Sequence, residues 1–272
     1  MSSLVLIDDF PKGFGGSELV NNTVANHFKV DKFISSSKFD KVESDVTYII
    51  SNTSTMSDFM IASLSSKATY IILEHDYKFV RSRHPWRYED CIVPKNEVMN
   101  KKLYKNAKAV FVQTDDHLSV FIKNKIDGNF ISLKSSIWSN KELDVLEKIL
   151  NEHNSDTNKF CIIESDNWIK NQKGAEEFST QNKINYNIVR KNNTPEEFLR
   201  SISKYPCLVF LPIARESCCR LLVEAKCLGM NVITNQNSGA WQSDWFSLSG
   251  KDLIEYLRKQ SKSNLGLMES YL

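Results

Sequence analysis

The chain has 272 residues, of which 41 % are apolar and 25 % charged, with a formal net charge of +2. That length bounds it to one large domain or two small ones, and the apolar share is enough for a packed core. So small a net charge does not by itself argue for a nucleic-acid partner, although a local basic patch can still bind phosphates. The six cysteines form no C-x-x-C pair and no zinc pattern, and they sit in apolar runs, so they read as buried free thiols in a reducing cytosol. No secretory signal opens the sequence and no apolar run approaches a membrane span, so a cytoplasmic location is expected.

In chain order, the sequence predicts strands over residues 4–8, 46–51, 69–74, 109–113 and 129–133. After a polar gap come further strands over 160–164, 185–190, 207–211 and 231–234. Several are continuous apolar runs, the pattern of strands buried on both faces of a parallel sheet. Helical patterns fall between them, over 17–26, 55–64, 96–105, 114–124, 141–152, 195–202, 220–228 and 251–260. This alternation predicts an α/β protein with parallel sheets. The polar stretch 151–159 is the candidate boundary between two Rossmann-like domains, 1–150 and 151–272, facing a cleft, with the last helix a candidate to cross back.

Four segments carry chemistry. After the first strand, Gly13, Gly15 and Gly16 precede a helical pattern. Glycines there let backbone approach a ligand, and a helix N-terminus suits phosphate. The same string also reads as a tight turn with Ser17 as the helix cap. After the 69–74 strand come His75 and Asp76, placed where open α/β sheets bind ligands. His75 suits proton transfer or orientation of a hydroxyl, or is satisfied locally by Asp76 or backbone. Arg81, Arg83, His84, Trp86 and Arg87 follow, a mix able to meet phosphates and stack a base or sugar, or to form a solvated loop. In the second half, Lys173 follows a strand and reads as a diphosphate contact or a lone surface lysine.

The fourth segment runs from Glu216 to Glu224, with seven residues between the two acids. If Ser217 or Cys218 opens a helix, Glu216 lies just outside it and Glu224 about two turns inside. A diphosphate on the first-turn amides would then place one sugar near each carboxylate. An amphipathic helix with an acidic start gives the same spacing. The buried strand at 231–234 and the small-residue loop from Asn235 through Ser238, Gly239 and Ala240 favour the ligand reading.

Taken together, Gly15-Gly16-Ser17-Glu18, Glu74-His75-Asp76, Lys173-Gly174, and Glu216 through Glu224 with the Asn235–Ala240 loop resemble the GT-B glycosyltransferases. The likeness is to the large retaining group that includes sucrose- and glycogen-synthase-type enzymes. It covers most of the chain in order and extends to the short bacterial and phage versions, where Glu-His-Asp-Tyr-Lys and Asn-Ala-Lys-Ala-Val-Phe-Val-Gln are familiar strings. The resemblance implies a hexosyl- or pentosyltransferase using a nucleotide sugar, commonly UDP-linked, as co-substrate. It implies no further cofactor, no metal, and retention at the anomeric carbon.

The roles it implies are specific. Gly15 and Gly16 would approach the diphosphate, His75 would sit near donor sugar and acceptor, and Lys173 would neutralise phosphate. Glu216 would hold the transferred sugar, Glu224 the ribose, and Leu221 and Leu222 would offer amides to the diphosphate. One position departs from the pattern: the group usually carries Arg five residues before the Lys173 equivalent, and here that residue is Trp168. Lys170 or Arg220 then supplies the second cation, or the diphosphate is held more weakly; Arg220 is also placed to pair with Glu216. The acceptor is a glycan, lipid or small molecule. One alternative is a phage enzyme glycosylating hydroxymethylated bases in DNA in the host cytoplasm, for which Arg81–Arg87 and Lys101, Lys102, Lys105 and Lys108 supply positive charge. Another is a sugar-nucleotide-binding protein without catalysis; an epimerase is a further, weaker one.

Overall fold

The computed structural model describes residues 3–11, 15–152, 157–190 and 194–272. Gly13 of the glycine turn and residues 153–156 of the expected boundary lie outside the described residues. The chain folds as two compact units, one built on residues up to Ile137 together with Gln260–Leu272, the other on Trp138–Lys259.

The first unit contains β1 (Ser3–Asp8), α1 (Gly16–Phe28), β2 (Lys32–Ser35), β3 (Val46–Ile50), α2 (Asp58–Lys67), β4 (Thr69–Glu74), α3 (Lys101–Asn106), β5 (Val110–Val112), α4 (Asp115–Lys123) and β6 (Phe130–Ser132). Its six strands are parallel, in the order β2-β1-β3-β4-β5-β6. Side chains alternate between the two faces of a strand. Val5, Ile7, Tyr48, Ile50, Tyr70, Ile72, Val110 and Val112 pack with α2, α3 and α4. Leu6, Ile49, Ile71, Leu73 and Phe111 pack with Val20 and Val24 of α1. Both faces are therefore apolar, as the continuous runs require. Ser57 caps α2 and Thr114 caps α4 through their side-chain oxygens. Helix α1 starts at Gly16 with Gly15 as its cap residue and without a side-chain cap bond, so Ser17 lies inside the helix.

The second unit contains α5 (Asn140–Asn151), β7 (Phe160–Ile163), α6 (Gln172–Gln181), β8 (Tyr186–Val189), α7 (Pro195–Ile202), β9 (Cys207–Val209), α8 (Arg220–Cys227) and β10 (Asn231–Ile233). Its four strands are parallel, in the order β10-β9-β7-β8. Cys161, Ile163, Leu208 and Phe210 share a core with α5, α7 and α8, whereas Ile162 and Val209 pack on Ala175 and Phe178 of α6. The units divide at Ile137/Trp138 and not after residue 150, because α5 buries Leu143, Leu146 and Ile149 among Leu222, Val223 and Leu228. The closing helix α9 (Gly250–Glu269) gives Leu253, Ile254 and Leu257 to the second core and Leu265 and Met268 to the first. All six cysteines are buried free thiols, and burial pushes Cys161 up to about 12 and Cys207 to about 11, which keeps them neutral and unreactive. No helix among the described residues is long and apolar enough to cross a membrane.

In each sheet the strand order reverses once, between β1 and β3 and between β7 and β9. Connections leave in opposite directions there and open a crevice at the carboxyl ends of the strands, the usual ligand position in open α/β sheets.

Candidate functional site

In the second unit the reversal brings together the loops after β7 and β9. Asn167 caps a 3-10 turn over Trp168–Lys170, and Asn171, in the left-handed region at φ 55°, stops it and caps α6 through Gly174 N–H. Asn171 also donates to the Leu211 carbonyl at 2.8 Å, and the Ile213 amide donates to the Ile169 carbonyl at 2.9 Å. The loop after β10 closes the group. Asn235 and Asn237 side chains donate to the Pro212 carbonyl. Glu216 N–H donates to Asn237 O and accepts Gly239 N–H at its own carbonyl, both at 2.9 Å, while Ala240 N–H reaches Cys218 O at 3.1 Å. Glu216 and Ser238 thus form a parallel bridge. The two strings that carried the sequence reading, Glu216 and the Ser238-Gly239-Ala240 loop, are hydrogen-bonded neighbours.

This pairing keeps residues 216–219 out of the helix. Cys219 sits at φ 66°, and α8 begins at Arg220, later than an opening at Ser217 or Cys218. Glu216 therefore stands a full turn before the helix and Glu224 little more than one turn inside it. Leu221 belongs to the first turn, whose amides lack intrahelical partners. Leu222 N–H donates to Cys219 O at 3.2 Å, so its amide is already committed.

The cations arrange themselves differently from the expectation. Lys170 Nζ meets Glu216 Oε1 at 2.5 Å, over the Phe210 ring. Burial lowers the Lys170 pKa, but the Glu216 carboxylate outweighs it and holds the ammonium above the ordinary lysine value. Arg220 pairs with two other carboxylates. Its Nη2 lies 2.6 Å from Glu142 of α5, its Nε 3.3 Å from Glu224, and its guanidinium stacks 4.5 Å above the Trp138 ring. Burial pushes the Glu224 carboxyl up, and Arg220 pulls it back. Lys173 makes no ion pair among the described residues. It lines an open groove of about 370 Å³ with the half-exposed Trp168, Asn167, Gln172, Glu176 and Ile213. Lys170, weighed from sequence only as one of two stand-ins for the missing arginine, is the lysine that reaches Glu216.

In the first unit the reversal lies between β1 and β3, where Ile7 faces Ile50 and so Asp8 lies beside Ser51. His75 is held by Asn21 Oδ1 at Nε2 (2.9 Å) and by Gln113 Nε2 at Nδ1 (3.2 Å). Asn21 and Gln113 thus hold the ring, and the Asp76 carboxylate interacts with it electrostatically. Asp8 Oδ1, Asn21 Nδ2 and Ser51 Oγ, all buried, have no hydrogen-bond partner among the described residues. Gly15 precedes α1 in extended backbone, with the Glu18 carboxylate folded over the place a Cβ would take.

Beneath this lies a charged network. Asp9 accepts from Ser36, Ser54 and Thr55. Burial works against its carboxylate, but those hydrogen bonds outweigh it and hold its pKa down. Arg83 turns inward to Asp76 (3.0 Å) and Asn52 (2.7 Å), Arg81 pairs with Glu97, and Arg87 lies over Trp86. Of the arginines at 81–87, Arg83 is thus turned inward, whereas Arg81 and Arg87 stay exposed. His117, fully buried, donates Nε2–H to the Asp76 carbonyl at 2.7 Å, and burial drives its pKa from 6.5 down to about 4. A depressed value means the native state binds fewer protons than the unfolded chain, so stability from the neutral ring is full above pH 6.5 and is lost as pH falls through 4. The gap amounts to roughly 3 kcal/mol. In urea titrations between pH 7 and 4, His117→Gln is expected to flatten the acid limb; an unchanged slope would refute the assignment.

Among the described residues no cluster of three or more His, Cys, Asp or Glu side chains is arranged to hold a metal. No protein-family model matches the chain, and no curated protein matches its sequence. Solved structures do match. Sucrose-phosphate synthase from Thermosynechococcus elongatus aligns with a TM-score of 0.58 at 10 % identity, over 99 % of this chain and 94 % of that one. Anabaena HepE in complex with UDP and glucose aligns at 0.52 and 10 % identity, over 96 % and 89 %. An alpha-glucosyltransferase in complex with UDP and a 13-mer DNA containing an HMU base aligns at 0.50 and 10 % identity, over 97 % and 95 %. At such identities the likeness is one of fold, and that fold is the two-domain GT-B one.

Proposed function

We propose that the protein is a glycosyltransferase that moves a sugar from a nucleoside-diphosphate donor, UDP-linked, to a hydroxyl acceptor. The observation that carries this reading is the strand reversal of the second unit. There Glu216, with Lys170 on it, stands before the first turn of α8, and Glu224 stands within that helix. In this reading the amides of that turn and Lys170 neutralise the diphosphate, Glu216 holds the sugar hydroxyls and Glu224 the ribose. Lys173, Gly15 and Gly16 give further phosphate contacts, and His75 orients a hydroxyl. Transfer proceeds with retention and without a metal, the helix end and lysine stabilising the leaving diphosphate. Support comes from the fold shared with enzymes captured with UDP, one of them with glucose.

A modified-DNA acceptor is the second reading. Its specific support is the likeness to the DNA-bound alpha-glucosyltransferase. The segment 81–87 adds less to it than its composition suggests, because Arg83 is turned inward.

The test is a thermal-shift screen of nucleotide sugars. At a donor concentration about a hundred times Kd, native-state binding adds about 2.7 kcal/mol, enough to raise Tm by several degrees. UDP-glucose is expected to act this way and free glucose is not. A flat response to every nucleotide sugar would remove the reading.

A further inference from the structure

Arg220 is the first residue of α8, where a cation faces the positive end of the helix. It is compensated twice, by Glu224 one turn on and by Glu142 from α5, and its side chain is only 9 % exposed. Glu142 is itself fixed: its Oε2 accepts from the Ser139 amide and hydroxyl, both at 2.8 Å, in the capping box that opens α5. The Trp138 ring closes the remaining face of the guanidinium. One cation and two carboxylates carry a net charge of −1, a poor place for a further anion. Lys170, by contrast, is 38 % exposed and neutralises a single carboxylate.

We infer that Arg220 is a positioning residue that, braced by Glu142 and Trp138, aims Glu224 at the ribose hydroxyls of a bound nucleoside diphosphate and makes no contact with its phosphates. The inference rests on the donor-site reading above and changes the role expected for Arg220. A chain Ser139–Glu142–Arg220–Glu224 then ties ribose recognition to the first turn of α5, the segment that opens the second unit. Burial pushes the Glu224 carboxyl up and Arg220 opposes that push, so without Arg220 the carboxylate would lose the bond that fixes its direction and part of what favours its charge.

The experiment compares UDP with 2′-deoxyUDP by calorimetry on the full chain, for wild type, Arg220→Gln and Glu142→Gln, with melting curves as a check of folding. Wild type is expected to prefer UDP by roughly 10- to 100-fold, the worth of a charge-assisted hydrogen bond. Both variants should shrink that ratio to about threefold or less, by weakening UDP while 2′-deoxyUDP stays within about twofold. Glu142→Gln is isosteric and changes a residue that meets Arg220 from α5, so it carries the test should Arg220→Gln unfold. A loss shared equally by the two nucleotides would make Arg220 a phosphate contact and overturn the inference. So would an unchanged ratio in Glu142→Gln. If wild type binds neither nucleotide, the donor-site reading falls and takes this inference with it; if wild type binds UDP and the variants keep its ratio, only the inference falls.

Discussion

If the proposed donor site is correct, wild type should slowly release nucleoside diphosphate from a nucleotide sugar, and Glu216→Ala should cut that release by about 100-fold or more while UDP binds at least as tightly as before. The magnitude is that of removing a group that meets the sugar as charge develops, roughly 3 kcal/mol of transition-state stabilisation. The retained affinity follows from the Lys170–Glu216 pair. Without the carboxylate, Lys170 is released to the diphosphate, which gains a cation with no competing anion. Turnover with UDP-glucose measured beside UDP calorimetry checks both halves. Equal turnover in wild type and variant would leave a sugar-nucleotide-binding protein without catalysis. Weakened UDP binding would mean that Lys170 serves only to hold Glu216.

Lys78→Met is the change expected to cost the fold most. Glu74 is completely buried, with the Lys78 ammonium 2.7 Å from Oε1 and the Tyr104 hydroxyl donating to Oε2 at 2.8 Å. Burial pushes the Glu74 carboxyl well up, and Lys78 holds it down. Removing one member of such a pair costs about 3–5 kcal/mol, because the other is left uncompensated. The cost should depend on pH in a definite sense. A folded pKa raised above the unfolded one means that stability is full below the unfolded value of 4.5 and is lost as pH rises through the folded value. Lys78→Met raises the folded value further, so its deficit should grow by up to about 1.4 kcal/mol per pH unit above about pH 7, where the wild-type carboxyl has finished titrating and the variant's has not. Adding Glu74→Leu should recover most of the loss. Urea titrations at pH 5.5 and 8.5 decide it; a deficit independent of pH would place the cost in packing alone.

Much of the fold was legible in the sequence. Continuous runs such as Tyr70-Ile71-Ile72-Leu73 cannot be solvated on either face, and nine strands fell close to where such runs predicted. β2 escaped because Lys32-Phe33-Ile34-Ser35 is a half-exposed edge strand of four residues. α6 escaped because Gly174 in its first turn reads as a loop and only Ala175 and Phe178 supply an apolar face. α9 runs nine residues past its expected end because its apolar positions serve two cores in succession.

The candidate site was legible in its parts and illegible in its pairings. Glu216, Glu224 and the Ser238-Gly239-Ala240 loop stood out by type and spacing. Which cation met which acid did not, because it turns on two left-handed residues, Asn171 and Cys219, neither of them glycine. Asn171 stops the 3-10 turn so that Lys170, and not Lys173, reaches Glu216; Cys219 delays α8 so that Arg220 reaches Glu142 and Glu224. Similarly, Glu74-His75-Asp76-Tyr77-Lys78 resembles an exposed polar loop, although Glu74 and Lys78 are interior. Charged residues in a loop give no sign of burial until their partners from other segments are known.

The backbone bridge between Glu216 and Ser238 has a consequence for how this site tolerates change. The bonds that set the carboxylate's register join amides and carbonyls, whereas the loop that supplies them is anchored by side chains: Asn237 donates to the Pro212 carbonyl and the buried Ser238 hydroxyl to the Cys218 carbonyl. Register and anchorage are therefore separate properties of the loop. Ser238→Ala should cost about 1 kcal/mol by leaving a buried carbonyl without its donor, while the main-chain bridge still holds the glutamate in line.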